Sequence, residues 1–315
     1  HITGSDPVVT LHRTLVSNNT TTGAGGGIYS EGDLTLDTSV VSNNTAATGG
    51  GIDAQNRLAL VATTVSGNMA TAASTGHGGG LNVSGSNVGD RLTIDGSTIS
   101  GNQAAATGGG ARIAIRDAAI ERSTFSGNSA TGNGGGLAAD GTSTEVTLVS
   151  NTFTNNTTPH TGGGLFNDNA SVWVRNSIVA GNSADGQHPD VSGLFSSRSN
   201  NLIGERGTGS FSDGLNSDQV GSSDTPIDAA LEPLADNGGP TLTHRPGEDS
   251  PALDKGHPSQ FGSTDQREAA RTGNATGITS FNADTPVDHL IGDAQQDPAS
   301  VYAVDVDGDG DIDVL

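Results

Sequence analysis

The sequence predicts an all-β chain, a right-handed parallel β-helix (solenoid) of about seven coils with an irregular C-terminal cap. Three observations carry that expectation. An apolar pair two residues apart, a third apolar residue and an asparagine recur seven times at fixed offsets; Leu92, Ile94, Ile99 and Asn102 are one such set. A Gly-Gly-Gly block follows six of the seven asparagines, as at Gly108-Gly109-Gly110. Finally, Gly, Asn, Ser, Thr and Val dominate the region and no apolar period near 3.6 runs through it, which disfavours helix.

The remaining sets are Val9, Leu11, Val16, Asn19; Leu34, Leu36, Val41, Asn44; Leu58, Leu60, Val65, Asn68; Ala118, Ile120, Phe125, Asn128; Val146, Leu148, Phe153, Asn156; and Val172, Val174, Val179, Asn182. Within each, the alternating pair reads as a short strand with its aliphatic side chains turned inward, followed by a bend and one further inward residue. Successive asparagines are 25, 24, 34, 26, 28 and 26 residues apart, a solenoid period. Coils of that length suit parallel stacking at about 4.8 Å per coil, with right-handed connections. The long interval between Asn68 and Asn102 predicts one or two loops on the side of its coil. Each Gly triplet is expected to turn a corner, because glycine accepts positive φ and close backbone approach.

With 48 glycines, 7 Phe, 2 Tyr and 1 Trp, the interior must be filled by aliphatic side chains, and these are distributed periodically. The chain carries 35 acidic and 13 basic residues, a net charge of −22, and most of that excess lies after Asn182. A single lysine and this acidity argue against a nucleic-acid partner. Without cysteine there is no disulfide framework and no thiolate site. No apolar run reaches the roughly 20 residues of a bilayer-spanning helix, so no transmembrane segment is expected in this chain.

Phe125–Asn128 and Phe153–Asn156, each followed by Gly-Gly and an aliphatic residue, resemble the repeats of bacterial polymorphic outer-membrane proteins and the wider set of secreted right-handed β-helix proteins. Beyond the coils, Asp190–Gly193, Asn201–Gly204, the run from Leu231 to Thr241 with its Asn-Gly-Gly-Pro-Thr block, His244, Ser250–Asp254 and Thr264–Arg267 resemble the tail of choice-of-anchor Q β-helix proteins. Glu268 stands where that tail usually has a glycine, which blurs the end of the domain. The organisation expected is a β-helix with its C-terminal cap region over 1–270, a linker or irregular segment over 271–296, and over 297–315 a truncated repeat resembling the start of an FG-GAP or VCBS-type propeller repeat.

That last stretch holds the strongest local motif. Asp305, Asp307, Asp309, Asp311 and Asp313, with Gly308 and Gly310, offer alternating carboxylates to a hard divalent ion; the resemblance implies structural calcium. Recurring asparagines read as an internal ladder, since buried amides must pair. Gly76-His77-Gly78 resembles one polygalacturonase motif, but neither an Asp-Asp pair nor an Asn-Thr-Asp triplet accompanies it. Arg112, Arg116, Asp117, Glu121 and Arg122 form a mixed-charge group that reads as a salt-bridged solvent face. The resemblance implies a bacterial protein, extracellular or at the outer cell surface, structural or adhesin-like, and the missing catalytic set implies no enzymatic activity. The alternative is a carbohydrate-binding or polysaccharide-degrading (lyase- or hydrolase-like) β-helix whose partner is an extracellular polysaccharide or cell-surface glycan.

Overall fold

The computed structural model describes residues 1–3, 7–260 and 263–271, and the backbone of two short strands at 303–304 and 313–314. His1–Asp284 forms one compact unit and Thr285–Leu315 a second. In the second, Ala303–Val304 pairs antiparallel with Asp313–Val314.

The first unit is a parallel β-solenoid with four sheets running along its length. The first sheet takes the alternating apolar pairs: Val8–His12, Asp33–Asp37, Leu58–Val61, Arg91–Asp95, Asp117–Glu121, Glu145–Val149, Ser171–Arg175 and Ser196–Ser199. The second carries the single apolar residue of each unit, as in Thr98–Ser100 and Thr124–Ser126. The third is a row of two-residue strands just past each asparagine, such as Gln103–Ala104. The fourth starts directly after the glycine triplets, as in Ala111–Ile115 and Leu137–Asp140.

Register follows the repeat. Leu34, Leu58, Leu92, Ala118, Val146 and Val172 lie one above another in the first sheet, and Val41, Val65, Ile99, Phe125, Phe153 and Val179 in the second. These columns and the aliphatic residues of the fourth sheet form one continuous core. Within it, the rings of Phe125 and Phe153 stack with centroids 4.7 Å apart. A repeat that returns the same residue type to the same height every coil makes such like-on-like columns unavoidable, and each coil buries its apolar face only because a neighbour covers it.

Eight strands in the first sheet put one more coil in the solenoid than the seven asparagine sets imply. The extra strand, Ser196–Ser199, lacks the apolar pair and joins its neighbour through a register shift at Val174/Arg175. Its interior is filled instead by Phe195 and Phe211, stacked 5.9 Å apart, with Val220 against them. These residues close the C-terminal end. The long interval between Asn68 and Asn102 resolves into two loops, one at Ala73–Thr75 ahead of His77 and one at Asn87–Gly89 after a lengthened strand Leu81–Gly85.

The glycine triplets turn the corners, and each glycine does so for its own reason. The first has positive φ, +72° at Gly108. A Cβ on the second, Gly109, would lie 2.4 Å from the carbonyl oxygens of Gly135 and Ser129. On the third, Gly110, it would lie 2.5 Å from the Gly136 oxygen and 3.1 Å from the Asn128 amide.

Past the last coil, the chain folds back as a strap, described over 227–260 and 263–271, along the outer face of the second sheet. Ile178, Ala180 and Leu202 of that face join Ala229 and Ala252 of the strap in a second small core, flanked by Ile227 and Leu231. Farther along, Gln266 inserts among Thr98, Thr124 and Thr241, accepting from Thr124 Oγ1 at 2.7 Å and donating to Thr98 Oγ1 and Thr241 Oγ1 at 3.0 Å. Thr241 donates to the Gly96 carbonyl at 2.8 Å, and Asp265 holds Arg267 through both carboxylate geometry and its backbone N–H. The outward-facing Thr124 and Ser126, held by Gln266 and His244 of the strap, are buried for this reason.

Candidate functional site

The asparagine column is a directional ladder. In each rung the Nδ2 group donates to Oδ1 of the next coil's asparagine, and the same oxygen accepts the backbone N–H of the rung before it: Asn102 to Asn128 at 2.9 and 3.1 Å, Asn128 to Asn156 at 2.9 and 3.0 Å. The second Nδ2 proton goes to a carbonyl of the preceding coil, Ile99 for Asn128 and Phe125 for Asn156. From Asn44 to Asn156 the side chains are fully buried and satisfied. Between Asn44 and Asn156 no side chain of the column is free to meet a ligand, as the sequence led us to expect.

The ladder ends on Asp190. One carboxylate oxygen takes the rung from Asn182 at 2.8 and 3.1 Å, and the other accepts the Glu205 N–H at 2.7 Å. A carboxylate suits this place because both of its oxygens accept. Burial, at 3% exposure, pushes its pKa up to about 6 against the pull of those hydrogen bonds.

A second ladder escaped sequence reasoning. Ser39, Thr63, Ser97, Ser123, Asn151, Ser177 and Asn201 stand at the corner between the first and second sheets, each side-chain oxygen accepting the backbone N–H of its counterpart one coil earlier. It too ends on an aspartate, Asp218, which accepts from both N–H and Nδ2 of Asn201. The signal was present. Six of these residues lie five before a ladder asparagine, but a Ser/Thr/Asn mixture draws less notice than an invariant Asn.

His77 and Arg112 do come together on the outer face of the fourth sheet. Asp53, Asn82 and Arg112 occupy one column there; Asn82 donates to Asp53 at 2.8 Å, and Arg112 binds Asp140 at 2.6 Å and Asn82 at 3.3 Å. Nδ1 of His77 meets Thr107 Oγ1 at 2.8 Å. Burial, and then the Arg112 charge, lower the His77 pKa, while burial raises that of Asp53. Each of these groups is held by a neighbouring coil, so the cluster is a polar tie across four coils.

The other members of the mixed-charge group are not brought to Arg112. Asp117 pairs with Arg91 at 3.5 Å. Arg122 clasps Asp95 through two bonds of 2.9 and 2.5 Å and reaches Thr264 of the strap. Arg116, at the bend between the fourth-sheet strand and the first-sheet strand, and Glu121, at the end of the latter, line separate shallow grooves. This is the salt-bridged surface expected for most of the group. The aspartates 305, 307, 309 and 311 lie outside the described residues; Asp313 is in a short strand, and its side chain is likewise outside them. Among the described residues no group of three His, Asp or Glu is placed to hold a metal ion.

A further groove on the outer face of the first sheet was not signalled by any motif. Thr147 and Trp173 adjoin there in one outward column, Val149 and Arg175 in the next, with Glu121 and Arg198 at either end.

The fold and its two ladders define a parallel β-solenoid scaffold. Two stretches of the chain, residues 13–31 and 122–140, match the repeat of the Chlamydia polymorphic membrane proteins. Each covers the span from the corner before the second sheet, through the ladder asparagine, to the end of the fourth-sheet strand. No curated protein and no solved structure matches the chain. Among the described residues no helix is long and apolar enough to cross a membrane.

Proposed function

We propose that this chain is a structural and adhesive element of a bacterial cell surface, whose β-solenoid unit serves as a scaffold and performs no catalysis. The match to the polymorphic membrane protein repeat carries this reading, since that repeat is named for a membrane protein and supplies the rungs on which the solenoid stands. Two unbroken ladders favour rigidity over turnover. A degradative role would call on His77 and Arg112, and both are engaged by Thr107 and by Asp140 and Asn82. For the run Asp305 to Asp313 we propose structural calcium, held by the carboxylates of Asp305, Asp307, Asp309 and Asp313 with the backbone carbonyl of Asp311.

The experiment is surface labelling of intact producing cells with an antibody to the solenoid, alongside release of reducing or unsaturated sugar from acidic polysaccharides. Labelling without turnover is expected. Labelling only after permeabilisation, or turnover abolished by His77→Ala or Arg112→Ala, would refute the reading. Calcium is tested on the full chain: an unchanged melting temperature in chelator would remove it, because an ion bound only by the native state must stabilise that state.

A further inference from the structure

Trp173 is the chain's only tryptophan, and it stands half-buried on an outward position of the first sheet. The guanidinium of the exposed Arg198 lies over its ring, 5.4 Å from the centroid. Arg175, two residues along the same strand and so on the same face, has a buried Nε with no hydrogen-bond partner. Among the described residues neither Arg175 nor Arg198 has a carboxylate within 4.0 Å. Two guanidinium groups therefore stand beside one indole with no ion pair of their own. A groove of about 560 Å³ runs from them over Thr147 and Val149 to Glu121.

From this constellation we infer that the groove is a binding site for a pyranose bearing a carboxylate, a unit of an acidic polysaccharide. Each part of the ligand meets a matching group. The carboxylate lies between Arg175 and Arg198, whose planar forks offer paired N–H donors. The apolar C–H face of the sugar ring lies against the exposed part of the indole beside Arg198. The ring hydroxyls reach Thr147 Oγ1 and the Glu121 carboxylate, an acceptor. The groove is open and shallow, lying across successive coils, so a polymer can pass through it where an isolated small molecule would be poorly enclosed.

This inference deepens the adhesive reading and rests on it for its biological sense, but its test needs only the purified full chain. Trp173 is its own reporter. Titration with an unsulfated chondroitin tetrasaccharide, followed by tryptophan fluorescence and by calorimetry, is expected to give a saturable change. The carboxyl-reduced tetrasaccharide should bind at least tenfold more weakly, a difference of about 1.4 kcal/mol. Arg175→Ala and Arg198→Ala should each lower affinity about tenfold, and Arg198→Lys should restore only part of it, because an ammonium lacks the planar fork. Arg57→Ala, on the same sheet and paired with Asp33, should leave binding unchanged.

Three outcomes would overturn the inference: no saturable signal, equal affinity for the carboxyl-reduced ligand, or undiminished binding by Arg198→Ala with its circular dichroism intact. Tight binding of a sulfated, carboxyl-reduced tetrasaccharide would overturn the carboxylate assignment as well. Surface labelling of cells is independent of all of these, so failure of the groove would leave the scaffold reading standing.

Discussion

Replacing Asn128 by alanine removes one rung from the middle of the asparagine ladder. The side chain is fully buried, with its Oδ1 accepting Asn102 N–H and Nδ2 and its own Nδ2 donating to Asn156 Oδ1 and to the Ile99 carbonyl. Alanine strands the two Asn102 donors and the Ile99 acceptor in a place without room for solvent, while Asn156 Oδ1 keeps the Asn128 N–H. Each stranded buried group costs about 1–3 kcal/mol, and the groups share neighbours, so about 3–5 kcal/mol in total is expected. Asn19→Ala is the control. That residue is exposed at the first coil, where water replaces what is lost, and a change of about 1 kcal/mol or less is expected. Urea denaturation followed by far-UV circular dichroism compares the two. If Asn128→Ala unfolds within about 1 kcal/mol of the wild type, the ladder is an ornament of the stacking and not a support of it, and the reasoning fails.

Gly110→Ala should be strongly destabilising, by several kcal/mol in melting experiments, because its Cβ meets the Gly136 carbonyl at 2.5 Å; Gly96→Ala, with φ +58° but its nearest atom 3.9 Å away, should cost only about 1–2 kcal/mol of left-handed strain. Gln266→Ala should expose the 227–271 strap to limited proteolysis while the solenoid's circular dichroism persists, since five contacts to Ser97, Thr98, Thr124, Thr241 and Leu242 vanish together. Asp190 titrates near 6 when folded and near 4 when unfolded, so the unfolded chain releases its proton first and stability should fall by up to about 3 kcal/mol as pH rises from 4 to 6. Asp190→Asn should flatten that slope, but at a cost, because an amide N–H₂ would face the Glu205 N–H. His244 behaves oppositely. Burial lowers its pKa while Nδ1 meets the Glu232 carbonyl at 2.6 Å and Nε2 meets Ser126 Oγ at 2.8 Å, so the strap's stability is complete above about 6.5 and should decline as pH falls below that value, read as faster strap proteolysis.

The repeat was legible because a solenoid writes its geometry into the chain directly. Leu92, Ile94 and Ile99 face inward because alternation and the bend place them there, and Asn102 pairs with Asn128 because equal spacing lifts equal residues to equal positions. The glycine corners were legible for the same reason. Less visible was the second ladder, which keeps the period but varies its residue type: Ser123 and Asn151 are partners, both five residues before a ladder asparagine. Features that break the period left no mark at all. Phe195 and Phe211 close the last coil from outside any strand, so no periodicity could have marked them.

Sequence by itself therefore determined the coil, its bend, its glycine corner and its inward residues, since each depends on contacts repeated between neighbours about 25 residues apart. Tertiary structure alone decided where the tail would lie and what the outer faces would offer. Gln266 meets Thr98 across 168 residues, an encounter with no counterpart in any other coil. Trp173, Arg175 and Arg198 look unremarkable one by one, and they become a candidate site only because Trp173 and Arg175 share one face of a strand and the register shift in the adjacent strand accompanies Arg198 lying over the indole. The physical reason is the same in both cases: a repeated interaction leaves a period in the chain, while a contact made once leaves none.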